Sequence, residues 1–369
     1  MKIVSDWFHR FFTDTQAVIL VILLVVGTAV IIFMGRMLAP VFAGIVIAYL
    51  LEGIVQFLER WGLPRLLAVV VVFLLFCAFV LFLVVGLMPL LSRQLTQLVQ
   101  QFPTMIVRGL DLLQELPVRY PDIISAAQVK AISDSVNAQI VGFGQAVLSW
   151  SLASVVNVFT IAIYLILVPL LAFFFLKDKT RILHWFRSFL PDDYTLSQKV
   201  WREVDLQTGN YVRGKFWEIL IVWSVSFVTF TFMELQFAML LGLMVGVSVI
   251  VPYIGAAAVT LPVAIVAFFQ WGWSPEFLWL MGAYGLIQAL DGNVLVPLLF
   301  SEVVDLHPIA IIVAVLVFGG IWGFWGIFFA IPLATLVQAV LKAWPRRPLV
   351  EPGQLADEPE VSSSQGVKS

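Results

Sequence analysis

Long apolar runs constrain this chain more than any other feature of its sequence. A helix that crosses the hydrocarbon core of a bilayer needs roughly 20 consecutive apolar residues. About eight such segments recur along the chain, at 17–34, 38–56, 66–90, 152–176, 215–233, 238–270, 277–299 and 308–342. Only 12% of the residues are charged, about half the fraction that is usual in soluble domains. The sequence therefore predicts an all-α, polytopic integral membrane protein.

Two of these segments are longer than one span and contain residues that break helices. Pro252 and Gly255 interrupt 238–270, and closely spaced glycines interrupt 308–342. These glycines are Gly319, Gly320, Gly323 and Gly326. We expect broken or re-entrant helices here, because transporters often bind substrate where a helix break frees backbone groups. Glycines at this spacing also let helices pack closely, so they fit gating and packing equally.

The basic residues predict how the chain is oriented. Cytoplasmic loops hold an excess of lysine and arginine, and such residues are concentrated in 177–214 and again near the end of the last segment. Counting segments from 177–214 places 92–151 outside the cell and both termini in the cytoplasm.

The same pattern divides the chain into six regions. They are the first three segments (1–91), an external insertion (92–151), the fourth segment (152–176), a basic cytoplasmic loop (177–214), a C-terminal bundle with broken helices (215–344) and a disordered tail (345–369). The insertion has apolar residues at helical spacing, and Pro103, Pro117 and Pro121 divide it into three predicted amphipathic helices. It fits a structural cap or an oligomer contact as well as a substrate-gathering domain.

Enzyme signatures are missing from the sequence. It has no dinucleotide-binding glycine loop, no phosphate-binding loop and no His-Glu-x-x-His motif, and its histidines His9, His184 and His307 are widely separated. We therefore expect no catalytic site, no metal, no cofactor and no nucleic-acid partner. A gradient-driven carrier, a passive channel and a non-transporting scaffold that acts through its loops remain as alternatives.

One acidic residue lies deep inside an apolar segment. Asp291 is in 277–299, where an ionised carboxylate that faced lipid would cost about 2.5 to 3.5 kcal/mol. Gln288 lies three residues earlier on the same helical face, and Asn293 follows closely. We predict that these three residues line a pathway for a substrate or an ion, with Pro252 and Gly255 at the nearby break. The alternative is a carboxylate that only locks two helices together.

Other polar residues have simpler interpretations. Asp305 precedes Pro308 at the start of the last segment, which is typical of a helix N-cap followed by proline in the first turn. Glu218 lies near the predicted cytoplasmic boundary, where Arg213 could pair with it, so we expect a structural role. Glu234 separates two apolar runs and is expected in a turn.

Ordered motifs in the chain resemble those of the AI-2E transporter family. They are Asn210–Lys215, Val251–Ala256, Gln288–Asn293, Val296–Pro297, Leu306–Pro308, Gly319–Gly326 and Ala330–Pro332. The resemblance extends from the N-terminal region to about Trp344. It implies a bacterial inner-membrane permease or exporter that moves a small solute or ion by secondary transport. It also implies a lipid-embedded homo-oligomer, with a pentamer as the expected form, and it assigns no ligand residues.

Overall fold

The computed structural model describes residues 15–119, 127, 129–131, 133–135, 160–188, 195–300 and 306–343. Every regular element in these ranges is helical. The elements are α1 (Thr15–Arg60), α2 (Arg65–Phe82), a π-helical turn (Leu83–Leu87), α3 (Met88–Arg119), α4 (Thr160–Lys177), α5 (Lys179–Arg187), α6 (Thr195–Phe232), α7 (Ala238–Ser248), α8 (Ile254–Trp271), α9 (Pro275–Leu290), a second π-helical turn (Asp291–Leu295), α10 (Val296–Phe300), α11 (Pro308–Trp322), α12 (Phe324–Phe328) and α13 (Ala330–Ala343). The predicted disordered tail, 345–369, lies outside the described residues.

Six helical stretches in the described part are long and apolar enough to cross a membrane. They are Met37–Arg60, Arg65–Asp111, Thr160–Lys177, Val200–Phe232, Ile254–Trp271 and Pro275–Phe300. In lipid the backbone polar groups must be satisfied within the protein, which is why these apolar runs form helices. The all-α, multi-pass fold is confirmed, whereas the count of about eight spans is not.

The first two predicted segments form one helix. α1 runs without a break for 46 residues and contains Pro40. We predicted separate segments at 17–34 and 38–56, and this was wrong, because the helix continues through Met34–Arg36 without a turn. The chain reversal on which the predicted cytoplasmic N-terminus depended is therefore not present within α1.

Helix α3 likewise continues through a predicted boundary. It spans 32 residues and includes Pro103 and Pro117. Proline removes one backbone donor and tends to kink a helix, but buried contacts of Leu91 before Pro103 and Met105 after it hold the helix together here. The first two predicted helices of the insertion are therefore a single helix, and most of the third lies outside the described residues.

The predicted basic loop at 177–214 is largely helical. α5 occupies its first part, and α6 begins at Thr195, twenty residues before the predicted start of the fifth segment at residue 215. Asp205 in this early part of α6 accepts a hydrogen bond from the Tyr49 hydroxyl of α1. The contact joins the N-terminal helices to the C-terminal bundle.

The first hairpin consists of α7 and α8, residues 238–271. The side chain of Gln270, at the end of α8, accepts a hydrogen bond from the Gln236 amide at 2.8 Å and donates one to the Glu234 carbonyl at 2.7 Å. Both ends of the hairpin therefore lie at the Phe232 end of α6, in agreement with the turn predicted at Glu234. The predicted interruption of 238–270 is confirmed as a turn that sends the chain back.

Helix α3 packs against this first hairpin. Its Leu91 and Met105 join the buried cluster around Leu241 and Val263. Gln94 Oε1 also accepts a hydrogen bond from the Leu240 amide, at 2.9 Å. That amide belongs to the first turn of α7, where backbone donors lack intrahelical partners. α3 thus caps the half-helix with a side chain.

The second hairpin consists of α11, α12 and α13, residues 308–343. It enters from the opposite end of the bundle, because α9 and α10 first carry the chain from the Phe232 end of α6 back towards Gly214, which contacts Phe300. The chain then turns at Gly323, whose φ is +60°, a conformation that glycine adopts at little cost. The two hairpins therefore approach each other from opposite ends.

The tips of the two hairpins meet inside the molecule. Val251 of the first packs against a cluster that contains Ala314, Val315 and Ala330 of the second. Ile250 joins a neighbouring cluster that includes residues of α6, α10 and the second hairpin, among them Tyr211, Phe300 and Phe328. The breaks in the two longest apolar segments thus lie together beside α6.

Candidate functional site

Two oppositely charged side chains are buried on one face of α6. Lys215 Nζ lies 2.6 Å from Glu218 Oε2, and the two side chains expose only 4% and 2% of their surface. Residues three apart face the same side of a helix. A charge that is buried without a partner destabilises a protein strongly, whereas a paired one is tolerated. The geometry therefore establishes an ion pair in the interior of the helical bundle.

Lys215 also contacts the tip of the first hairpin. Its Nζ donates a hydrogen bond to the Val249 carbonyl at 2.9 Å, and Val249 is the C-cap residue of α7. The last carbonyls of a helix lack intrahelical donors and carry partial negative charge. The Phe300 ring centroid lies 5.2 Å from the same nitrogen. A carboxylate, a helix C-terminus and an aromatic ring thus surround the ammonium group.

Asp291 lies close to this pair, on the helix that faces it. It begins the π-helical turn that separates α9 from α10, and such turns are frequent at functional sites. Lys215 and Glu218 are both within electrostatic range of its carboxylate. The π-helical turn packs against α6, which brings the three charged residues together although they are far apart in the sequence.

Several buried polar atoms near these charges lack partners. Asp291 Oδ1 and Gln288 Nε2 have no hydrogen-bond partner among the described residues, and neither have Trp223 Nε1 and Ser226 Oγ on α6. A buried polar group without a partner costs about 1 to 3 kcal/mol. Buried groups of this kind call for an explanation, such as water or an ion in the site. The surroundings of Asp291 thus have unused donors and acceptors.

Asn293 does not share this environment. Its side chain is exposed, and its Nδ2 donates a hydrogen bond to the Ala289 carbonyl at 2.8 Å. That carbonyl is one turn earlier, next to the π-helical turn. The structure therefore brings Gln288 and Asp291 to the buried charges and turns Asn293 away from them.

The predicted break residues Pro252 and Gly255 lie in the tip of the first hairpin. Tyr253 between them has a φ of 63°. A Cβ on Gly255 would overlap the Ser248 carbonyl, so only glycine lets the chain fold back at this point. These residues shape the turn that presents the Val249 carbonyl to Lys215.

The four glycines of the second hairpin differ in their surroundings. A Cβ on Gly326 would overlap the Phe318 carbonyl, and one on Gly319 would lie 2.7 Å from Ile327 Cγ1. Gly323 forms the turn, while Gly320 has open space beside it. Close packing accounts for Gly319 and Gly326, and backbone conformation accounts for Gly323.

The N-cap of α11 is His307. Its Nδ1 accepts a hydrogen bond from the Ile309 amide at 3.3 Å, and Pro308 occupies the first turn. Asp305, for which we predicted the capping role, lies outside the described residues.

The sequence analysis missed Lys215 and Glu218 as a pair. It counted Lys215 only as the first residue of the fifth segment and expected Glu218 to meet Arg213, whereas the Arg213 guanidinium donates to Asn210 Oδ1 at 2.8 Å. The available signal was the i, i+3 spacing of opposite charges immediately before an apolar run. It was overlooked because the start of the helix was placed at residue 215.

This arrangement can hold one additional positive charge. The described cluster contains one ammonium group and two carboxyl groups, and Lys215 already pairs with Glu218. The carboxylate of Asp291 is of a type that can bind and release a proton or a monovalent cation. The neighbouring amide of Gln288 supplies a donor.

Comparisons with known proteins agree with this membrane architecture. The family model of the AI-2E family transporter matches residues 1–346. The "Putative permease PerM" of Escherichia coli K12 is 42% identical over 358 residues, covering 97% of this chain and 100% of the relative. The "Putative transport protein YueF" of Bacillus subtilis is 27% identical over 84% of both chains. The "AI-2 transport protein TqsA" of Escherichia coli is 24% identical over 89% of this chain and 92% of that protein.

These matches confirm the resemblance that the ordered motifs indicated. The stretches Ala48–Glu52 and Phe174–Lys179 had suggested a protein similar to PerM in particular, and the match covers both. The coverage leaves little of the chain outside the shared region. The chain therefore belongs to the AI-2E transporter family and is a multi-pass membrane transport protein.

Proposed function

We propose that this protein is a secondary transporter that moves a small solute or ion, with Asp291 as the residue that exchanges the coupling cation. The observation that supports it is the group formed by buried Lys215 and Glu218 with half-buried Asp291 beside the broken first hairpin. Membrane proteins rarely keep ionisable residues inside their spans without a functional reason. Helix breaks that carry backbone ligands are a recurrent feature of transporter binding sites.

The arrangement suggests how coupling is achieved. When the carboxylate of Asp291 is ionised and has no bound cation, the three side chains Lys215, Glu218 and Asp291 together carry an excess negative charge. Lys215 then holds the tip of the first hairpin through the Val249 carbonyl. A cation on Asp291 neutralises that excess and weakens the attraction of Asp291 for Lys215. The balance of contacts at the tip therefore depends on the occupancy of the carboxylate.

The substitution Asp291→Asn tests this role. It preserves the shape of the side chain and removes its exchangeable charge. Coupling free energies of about 1 to 3 kcal/mol correspond to roughly 5- to 150-fold effects, so gradient-dependent export should fall by a factor in that range. Untargeted comparison of exported metabolites from cells with wild-type protein, the variant or no protein measures the loss, with and without a protonophore. Export is normalised to the amount of folded protein.

The control and the contrary outcomes are equally specific. Asp111→Asn removes an exposed carboxylate from α3 and should leave export unchanged. Unaltered export in Asp291→Asn, together with lower thermal stability, would show that the carboxylate only locks helices. Export that is unchanged by both the protonophore and removal of the sodium gradient would favour a passive channel, and no difference from cells without the protein would favour a scaffold.

We propose an inner-membrane protein whose basic face lies in the cytoplasm. α5 and the start of α6 carry the highest density of lysine and arginine, and such segments stay in the cytoplasm. On this proposal α3 lies on the outer side, and the C-terminal end of α13 lies inside.

A homo-oligomer, with a pentamer as the expected form, completes the proposal. Large apolar side chains that face outward on several spans support it, including Phe33, Phe232 and Trp279, which expose 87%, 88% and 75% of their surface. Lipid covers part of such a surface and a second copy can cover the rest. Native mass spectrometry in mild detergents should show more than one subunit, and a stable monomer in all of them would count against the assembly.

A further inference from the structure

The short helix α5 has a basic edge beside an apolar face. Arg181, His184 and Arg187 follow one another at three-residue spacing and are exposed. Ile182 and Trp185 lie on the adjoining face, and Trp185 exposes 57% of its surface. Helices with aromatic and aliphatic residues on one side and basic residues on the other lie in the plane of a membrane interface.

Two contacts fix the depth at which α5 begins. Arg65, the first residue of α2, donates a hydrogen bond from Nη2 to the Leu176 carbonyl at 2.9 Å. Lys179 Nζ, at the start of α5, lies 3.4 Å from Glu52 Oε1. Glu52 precedes the end of α1 by about two helical turns. α5 therefore starts near the level of the last turns of α1 and the first residue of α2, where the chain leaves the apolar helices.

Aromatic residues mark the same level on the neighbouring turn. Trp61, between α1 and α2, exposes 76% of its surface, and its ring centroid lies 5.1 Å from that of Phe57. Tryptophan is enriched where membrane meets water. The basic edge of α5 is thus placed at headgroup depth.

Helix α5 has little cover from the described part of the chain, since no described helix packs extensively along it. A surface with exposed arginines and an adjoining, largely exposed tryptophan is complementary to anionic phospholipid. Guanidinium groups bind phosphate oxygens in a bidentate manner, and the apolar face can enter the acyl boundary.

We propose that α5 binds anionic phospholipids of the cytoplasmic leaflet, with Arg181 and Arg187 on the headgroup phosphates and Trp185 at the acyl boundary. The binding anchors the inner ends of α1, α2 and α4 at a fixed depth through the Glu52–Lys179 and Arg65–Leu176 contacts. This role is separate from the transport site and does not depend on the identity of the substrate.

A fluorophore next to α5 tests the proposal directly. The full-length protein with Cys77→Ala and Ser188→Cys carries an environment-sensitive dye one residue after α5. It is reconstituted into vesicles of phosphatidylcholine alone or with phosphatidylglycerol. We expect a blue-shifted emission only with phosphatidylglycerol, and we expect the shift to fall by half or more when salt rises from about 0.05 to 0.5 M. Arg181→Gln with Arg187→Gln should abolish it.

A matched pair of substitutions provides the control. Arg93→Gln with Arg108→Gln removes two exposed arginines from α3 on the other side of the molecule, and should leave the shift intact. Equal emission in both kinds of vesicle would overturn the proposal. A shift caused by inorganic phosphate in phosphatidylcholine vesicles would overturn it in favour of a soluble anion. Identical elution in size-exclusion chromatography confirms that all variants are folded.

Discussion

Neighbouring basic residues of α6 have very different environments. Lys215 is buried among a carboxylate, a backbone carbonyl and a ring, while Arg213 is half-buried and bonds to Asn210 one turn earlier. The i, i+3 geometry of a helix allows both arrangements within one turn of sequence. Burial, more than formal charge, therefore decides which of the two residues matters for stability.

Lys215→Met should destabilise the protein strongly. It leaves the Glu218 carboxylate buried without its partner, and breaking a buried pair in this way costs about 3 to 5 kcal/mol. Adding Glu218→Gln should recover a large part of the loss, because the unpaired charge is then gone. Thermal unfolding in detergent, followed by size-exclusion chromatography, compares the single and double variants.

Arg213→Met serves as the comparison for this cycle. Its side chain is only half-buried, so we expect a loss below about 1 kcal/mol. Equal losses in Lys215→Met and Arg213→Met would show that the Lys215–Glu218 pair adds little to stability.

At the scale of elements, α6 and α7 approach each other closely through small residues. A Cβ on Gly246 would lie 2.5 Å from Trp223 Cβ and 2.9 Å from the Ile219 carbonyl oxygen. Small residues at helix interfaces let membrane helices pack through dispersion forces where the hydrophobic effect is weak. The half-helix α7 is thus held against α6 along its length.

Gly246→Ala should loosen this contact. Overpacking a tight interface usually costs about 1 to 3 kcal/mol, and backbone atoms of α6 cannot move aside as a side chain can. Gly282→Ala in α9 meets no atom within 4 Å, so it should be neutral or stabilising because alanine is the better helix former. Melting temperatures of the two variants provide the comparison. A Gly246→Ala protein as stable as Gly282→Ala would contradict the close contact.

Comparison of the helices with the sequence shows which structural features the sequence patterns could predict. Proline and glycine between two long apolar runs correctly predicted the breaks at Pro252 and Gly323, because a turn inside lipid needs such residues. Pro103 did not end α3, since buried contacts on both sides outweigh the loss of one hydrogen bond. Asp291 was singled out in the sequence because a charge in an apolar run is conspicuous. The spacing of Lys215 and Glu218 was visible in the sequence, but the burial of the pair depends on tertiary packing that local sequence does not encode.

At the scale of the whole molecule, the two ends of the helical bundle differ from each other. α3 lies at the end where the first hairpin begins, and α5 lies at the end from which the second hairpin enters. The two hairpins enter from opposite ends and pack against each other beside α6. Which of the two ends faces the cytoplasm is therefore the central property to measure.

Single cysteines can establish that orientation. In a Cys77→Ala background, Thr104→Cys places an exposed thiol on α3, and Ser188→Cys places one after α5. An impermeant maleimide added to spheroplasts should label only the first, because basic segments stay in the cytoplasm. Both should react after membranes are opened by detergent. Labelling at residue 188 in intact spheroplasts would reverse the assignment.

The link between Gln94 and the first turn of α7 has a consequence for how the protein is made. An 11-residue helix extends only about 16 Å, which is half of a bilayer core, so α7 cannot enter lipid as an independent span. Its capping partner Gln94 is synthesised 146 residues earlier. The nascent chain therefore presents a finished docking surface on α3 before α7 leaves the ribosome. The first hairpin is then inserted against α3. Contacts with this earlier part of the protein replace the hydrophobic length by which ordinary spans are recognised.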